Sequence, residues 1–349
     1  MKLLVLDYSI DELRQKFKDI GLLEFRANQV YQSALNGLNI EDVCNIPFAE
    51  KERLLNTFEN KIAEITHKKT SKDGTIKMLV QLCCGNAVEA VIMKYKNWNT
   101  LCVSTQVGCS MGCKFCASTI GGKVRDLSSG EIMMQYVLAN KLIGGDAKNR
   151  KITNVVLMGC GEPLDNYDNV IKFIKLLTSE QTFNISRRNI TLSTCGIVDN
   201  IIRLADEQIK ISLAISLHAP NDQIRKKLMP IARKYSIEQI VNAADNYYKK
   251  TGRQVSYEYT LCKDVNDSEE CALELAKLLK DKHCHVNIIN LSKVEGRETH
   301  KTSKQKCDTF IETLKRNGVS ATIRRSLGAD IDGACGQLRK KMMGENNES

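Results

Sequence analysis

The chain has 349 residues, a net charge of +10 and 42% hydrophobic residues, the balance of a soluble protein able to bury a sizeable core. Its four prolines exclude a collagen, mucin or Pro-rich linker protein. No apolar run approaches the roughly 18 residues of a membrane span. The opening apolar run stops at Asp7, too early for a secretory signal. A cytoplasmic protein with no membrane partner is expected.

The charge is uneven. Residues 1–70 hold 10 Lys/Arg and 11 Asp/Glu, whereas residues 71–349 hold 41 and 30. Paired bases such as Arg187-Arg188, Arg233-Lys234 and Arg324-Arg325 recur in the second part. That excess is compatible with a polyanionic partner such as RNA or DNA, and equally with solvated helix faces.

In chain order, Ser9-Ile-Asp-Glu12 is a capping box that opens a helix ending at Gly21. Helical patterns follow near 25–35 and 48–58, so residues 1–70 are predicted to form a small helical domain. Lys77–Leu82 and Val88–Met93 flank Gly85-Asn86 and predict a hairpin linker over 71–94. From 95 to 345 strands and helices alternate. Strands are predicted at Leu101–Ser104, Asn154–Met158, Asn189–Leu192, Ser212–Ser216, Val255–Thr260, His285–Ile289 and Ala321–Arg324. The fold class is therefore α/β, a partial (β/α)6-type barrel with a small N-terminal helical domain. A dinucleotide fingerprint, a Walker A loop and an H-E-x-x-H motif are all missing from the sequence. Chemistry is expected on loops after the strands' C-terminal ends.

Fourteen cysteines are many for such a chain. Cys44, Cys83, Cys84, Cys262, Cys271, Cys284 and Cys307 read as small buried hydrophobes. Cys109, Cys113 and Cys116 stand apart, in a C-x-x-x-C-x-x-C run directly after the first barrel strand. Positions i, i+4 and i+7 share one helix face, but Gly108 and Gly112 favour a loop instead. A structural zinc site wants four ligands. Three thiolates suit a [4Fe–4S] cluster with one iron open to a ligand.

This spacing after a first strand resembles the radical S-adenosylmethionine (SAM) superfamily. Further motifs narrow it: Thr100-Leu-Cys-Val-Ser-Thr-Gln-Val-Gly-Cys109, Gly161-Glu-Pro-Leu164, Leu192-Ser-Thr-Cys-Gly196, Ser216-Leu-His-Ala-Pro220 and Asp330-Ile-Asp-Gly-Ala-Cys-Gly-Gln-Leu338. Over nearly the whole chain these resemble the dual-specificity rRNA/tRNA adenine-C2 methyltransferases. The C8-methylating resistance enzymes, which act on the same 23S rRNA adenosine, are close relatives. Ala117-Ser-Thr-Ile-Gly-Gly122 favours the C2 group.

The resemblance implies one [4Fe–4S] cluster on Cys109, Cys113 and Cys116, and two SAM molecules per turnover. It implies SAM contacts at Gly161, Glu162, Ser193, Ser216, Leu217 and His218. Cys335 corresponds to the cysteine that first receives a methyl group and then bonds through it to the base. Cys102 corresponds to the resolving thiol, forming a transient disulfide with Cys335, and Glu89 to the proton acceptor. The partners implied are 23S rRNA, tRNA and an electron donor such as flavodoxin. Two departures stand out: Cys160 replaces a usual Met, and Ser292 stands where the family has a SAM-contacting Asn. A non-catalytic RNA-binding metal protein is the reading from another class.

Overall fold

The computed structural model describes residues 2–292, 294, 296, 298–334 and 336–338. Its strands are β1 (Ala63–Thr70), β2 (Ile76–Leu82), β3 (Ala87–Lys94), β4 (Asn99–Cys102), β5 (Gln106–Gly108), β6 (Lys123–Asp126), β7 (Asn154–Leu157), β8 (Ile190–Thr194), β9 (Ser212–Ser216), β10 (Val255–Leu261), β11 (Cys284–Asn290) and β12 (Ala321–Ile323). Its α-helices are α1 (Ile10–Asp19), α2 (Glu24–Leu35), α3 (Phe48–Thr57), α4 (Ser129–Leu142), α5 (Tyr167–Leu177), α6 (Val198–Asp206), α7 (Asp222–Leu228), α8 (Ile237–Thr251), α9 (Glu269–Leu279) and α10 (Lys304–Arg316).

Strands β4, β7, β8, β9, β10, β11 and β12 pair in parallel in that order, joined by helical crossovers. Six strand–helix units followed by β12 make the expected partial barrel. Cover on both faces is most complete at β9, where Leu213, Ala214 and Ile215 are fully buried. On the other side β3, β2 and β1 extend the same sheet antiparallel, so the hairpin is part of the sheet. β1 falls in the last eight residues of the segment expected to be helical. Of that strand only Ala63 is buried; a solvated edge strand carries no apolar run to reveal it.

The N-terminal helices begin as the sequence predicts. Ser9 Oγ accepts the Glu12 N–H, and the Glu12 carboxylate accepts the Ser9 N–H. Leu13, Phe17 and Phe58 are buried beneath them, in a core continuous with that of the barrel. Asp7 joins the two parts. Its carboxylate accepts the Gly130 N–H at 2.6 Å and the Ser129 hydroxyl at 3.0 Å, at the N-terminus of α4 where negative charge is favoured. Among the described residues no helix is long and apolar enough to cross a membrane. Cys262, Cys271, Cys284 and Cys307 are buried as expected, whereas Cys44, Cys83 and Cys84 are exposed. The last two occupy the turn between β2 and β3, which faces solvent.

Candidate functional site

Strands β5 and β6 pair antiparallel and pinch together a long loop, residues 109–122, that carries the three clustered cysteines. The Cys109 N–H donates to Gly122 O at 3.1 Å. Gly108 has φ +79°, and a Cβ there would fall 2.0 Å from Gly122 O, so only glycine closes this neck. The loop is not a helix. Cys109, Cys113 and Cys116 instead border one cavity of about 150 Å³. Among the described residues no set of three or more His, Cys, Asp or Glu is placed to hold a single metal ion. Burial pushes the Cys109 thiol up to about 12 and raises Cys113 well above its ordinary value. A thiol must give up its proton to bind a metal.

The rest of the cavity wall comes from the ends of the parallel strands. Ser193 and Thr194 of β8, Ser216 and His218 at the end of β9, Glu258 and Thr260 of β10, and Arg324 after β12 all border it. Gly161 has φ +110°, and a Cβ would lie 2.7 Å from the Gln106 side chain. Gln106 holds this turn: its Oε1 accepts the Glu162 N–H at 2.9 Å, and its Nε2 donates to Asp126 and Asp165.

Glu162 is 4% exposed. Its carboxylate accepts the Leu164 N–H at 3.0 Å and the Cys195 N–H at 2.7 Å. Burial raises its pKa, against the pull of those amides. Glu162, expected to contact SAM, thus also ties the loop after β7 to the loop after β8.

His218 has φ +57°. Its Nδ1 accepts the Thr260 N–H at 2.9 Å, so in the neutral ring Nε2 carries the proton. Burial lowers its pKa to about 3, and Phe115 packs edge-on at 4.8 Å. Leu217 does not reach the cavity: its side chain is fully buried in the core.

Arg225 was not evident in the sequence except as one of a basic triplet. It is wholly buried. Its Nη2 donates to Cys195 O at 2.6 Å and its Nε to Leu217 O at 3.1 Å, joining the loops after β8 and β9. Its Nη1 is buried without a hydrogen-bond partner among the described residues. Glu258 was missed as well; it pairs with Arg324 at 3.1 Å and accepts from Asn287 Nδ2.

A second cleft adjoins the first, sharing Met158, Ile289 and Arg324 with it. Cys102 lines it, packed with Val91 and Leu338. Cys335 lies outside the described residues, but its neighbours are placed: Gly336 borders the cavity of the thiols and Ala334 the cleft of Cys102. The Ala117 N–H donates to Gly336 O at 2.8 Å, and Ser118 Oγ to Leu338 O at 2.9 Å. Cys102 sits opposite Val91 in the β3–β4 register. Glu89, two residues from Val91, shares its face of the sheet. It is 2% exposed and pairs with Lys77 at 2.8 Å. Lys77 also donates to Asp332 O at 3.1 Å.

The radical SAM superfamily model matches residues 103–279. A probable dual-specificity RNA methyltransferase RlmN from Clostridium novyi (strain NT) is 48% identical over 345 residues, covering 98% of this chain and 99% of the relative. The protein of the same description from Lachnospira eligens is 48% identical over 342 residues, 97% of this chain and 96% of its own. The crystal structure of a radical SAM methyltransferase from Sphaerobacter thermophilus superposes with a TM-score of 0.91 at 37% identity, over 97% of this chain and 99% of the other. The chain belongs to the radical SAM dual-specificity RNA methyltransferase family.

That family implies a [4Fe–4S] cluster and SAM, and the radical SAM site here fits them. Three thiols border one cavity at strand ends, held by a glycine neck that no other residue can form. Arg225, buried beside Cys195 and beneath the thiols' loop, adds positive charge where thiolates would gather. Cys109, Cys113 and Cys116 would hold the cluster. Gly161, Ser193, Ser216 and His218 would border SAM.

Proposed function

We propose that this protein methylates C2 of a specific adenosine in 23S rRNA, and of an adenosine next to the anticodon in some tRNAs. Cys335 carries the methyl group as an S-methylcysteine intermediate. When bound, the cluster supplies the electron that cleaves SAM reductively and so activates the S-methyl group, using two SAM molecules per turnover. A flavodoxin-type protein is the electron donor.

The chain's own residues do the remainder. Adenine C2 is an electron-poor carbon that cannot attack a methyl sulfonium, so the carbon must be delivered to it on the protein. Glu89 accepts the C2 proton, its charge balanced by Lys77. The Cys102 thiolate attacks the sulfur of Cys335. A disulfide forms, the bond from that sulfur to carbon breaks with its electron pair passing to the carbon, which takes up a proton to become the methyl group, and the methylated base is released. The basic residues of the barrel bind phosphates, giving salt-dependent affinity. The target adenine must leave its stack to reach the cleft.

The observation that carries this reading is the meeting of the two clefts. Gly336 and Ala334, on either side of Cys335, border the thiols' cavity and the Cys102 cleft respectively. Nucleoside mass spectrometry of RNA treated with the reconstituted protein, SAM and a reductant tests it. The reading requires 2-methyladenosine; 8-methyladenosine alone would reassign the target carbon, and unmodified RNA would reject the reading.

A further inference from the structure

The cleft of Cys102 continues past the residues used above. Along β3 and just past its end, Glu89, Val91, Met93 and Tyr95 follow at every second position, and the last three of these line the cleft or pack on Cys102. Tyr95 opens the turn to β4, which its N–H closes by donating to Trp98 O at 2.9 Å. The two rings stack, with centroids 5.4 Å apart and planes inclined by 22°. That backbone bond closes the turn without help from aromatic side chains. Yet Trp98, the only tryptophan of the chain, leaves 46% of its surface in water. Lys96 in the same turn is exposed, as is Arg325, which lines the same cleft as Tyr95.

We infer that the Tyr95–Trp98 pair is a stacking platform for a nucleobase of an unpaired RNA segment, one that neighbours the adenosine entering the Cys102 cleft. The inference rests on the RNA-modifying reading above and names a further contact for the same site. The chemistry matches single-stranded nucleic acid. Bases stack on aromatic faces whatever their identity, and adjacent cations meet the phosphates. Four residues of β4 separate Trp98 from the far side of Cys102, about 13 Å of strand. The platform is therefore a flanking contact and does not hold the reacting base. Arg324, bordering both clefts, lies along the path between them.

Because Trp98 is the sole tryptophan, its emission reports on the site directly. The full-length protein is titrated with an RNA hairpin whose loop carries unpaired adenosines, and binding is read independently by anisotropy of labelled RNA. Saturation is expected to quench Trp98 emission. Trp98→Ala and Tyr95→Ala are expected to weaken binding by about five- to a hundredfold. Trp98→Phe and Tyr95→Phe, which keep a ring, are expected to stay within about threefold of the parent. Trp98→Ala should also leave the slope of log affinity against log salt in place, whereas Lys96→Ala should reduce it by about one. Unchanged emission at saturation, or Trp98→Ala binding as tightly as the parent, overturns the platform. If the parent protein methylates the RNA while these variants bind it equally well, only the platform fails. If the parent neither binds nor modifies RNA, the functional reading fails with it.

Discussion

The ammonium of Lys77 lies 2.8 Å from Glu89 Oε1, with both side chains at 4% exposure or less. A buried charge left alone is costly, so each of these residues depends on the other. Lys77→Met is expected to destabilise the protein by about 3–5 kcal/mol, because it strands the Glu89 carboxylate. The double variant Lys77→Met/Glu89→Leu removes both charges and should recover most of that loss. Denaturant unfolding of the parent, the double variant and the two single variants Lys77→Met and Glu89→Leu measures the coupling. A Lys77→Met variant as stable as the parent would show that the pair is not a closed buried unit. For activity, Glu89→Gln should slow methylation about a hundredfold or more if the carboxylate takes the C2 proton.

Cys102 packs against Leu338 of the C-terminal segment. If Cys102 resolves the covalent adduct, Cys102→Ala protein should stall with RNA attached through Cys335. A slowly migrating, RNase-sensitive species on a denaturing gel is the expected result, and Cys335→Ala should form none. Release of methylated RNA by Cys102→Ala at the parental rate would remove this cysteine from the reaction.

The neck of the cysteine loop admits little variation. At Gly108 a methyl group would collide with Gly122 O, and the positive φ disfavours any other residue. Gly108→Ala is expected to lower the iron retained after anaerobic reconstitution well below that of the parent, measured by a ferrozine assay. Gly85→Ala is the control. It also has a positive φ, but nothing lies within 4 Å of the added carbon, so iron retention should match the parent.

The adjacent thiols Cys83 and Cys84 should separate with pH. Burial raises Cys83, with the Glu59 and Glu131 charges adding to it. At Cys84 burial also pushes upward, but hydrogen bonds from Asn86 and Arg125 outweigh it and lower the pKa. The thiolate is the reactive form, so Cys84 should become alkylatable at lower pH than Cys83. Peptide mapping after timed iodoacetamide treatment between pH 6 and 9 checks this. Arg125→Ala should shift the Cys84 profile to higher pH. Equal rates at the two positions would contradict the assignment.

A parallel strand such as β9 was legible because burial on both faces leaves an apolar run, Leu213–Ile215. β1 was not, since its Lys68, Lys69 and Thr70 face solvent. The strands β5 and β6 were too short to register, although they set the neck of the cysteine loop. Within the site, the cysteine spacing and the strand-end Ser193, Ser216 and His218 could be read from local sequence, and the cavity includes them all. Lys77 and Arg225 could not be. A lysine in a strand and an arginine in a basic triplet look like surface charge until the fold buries them. Gln106 and Glu258 act through partners up to 66 residues away, which no local pattern announces.

Anaerobic reconstitution of the parent and of the single variants Cys109→Ala, Cys113→Ala and Cys116→Ala, each assayed for iron, visible absorption and RNA methylation, decides whether these three thiols hold the reactive centre. The parent should be brown, carry about four irons per chain, bleach with dithionite and methylate adenosine. Each variant should lose both colour and methyl transfer. A variant that methylates RNA at the parental rate, or a parent that holds zinc and stays colourless, would contradict the account.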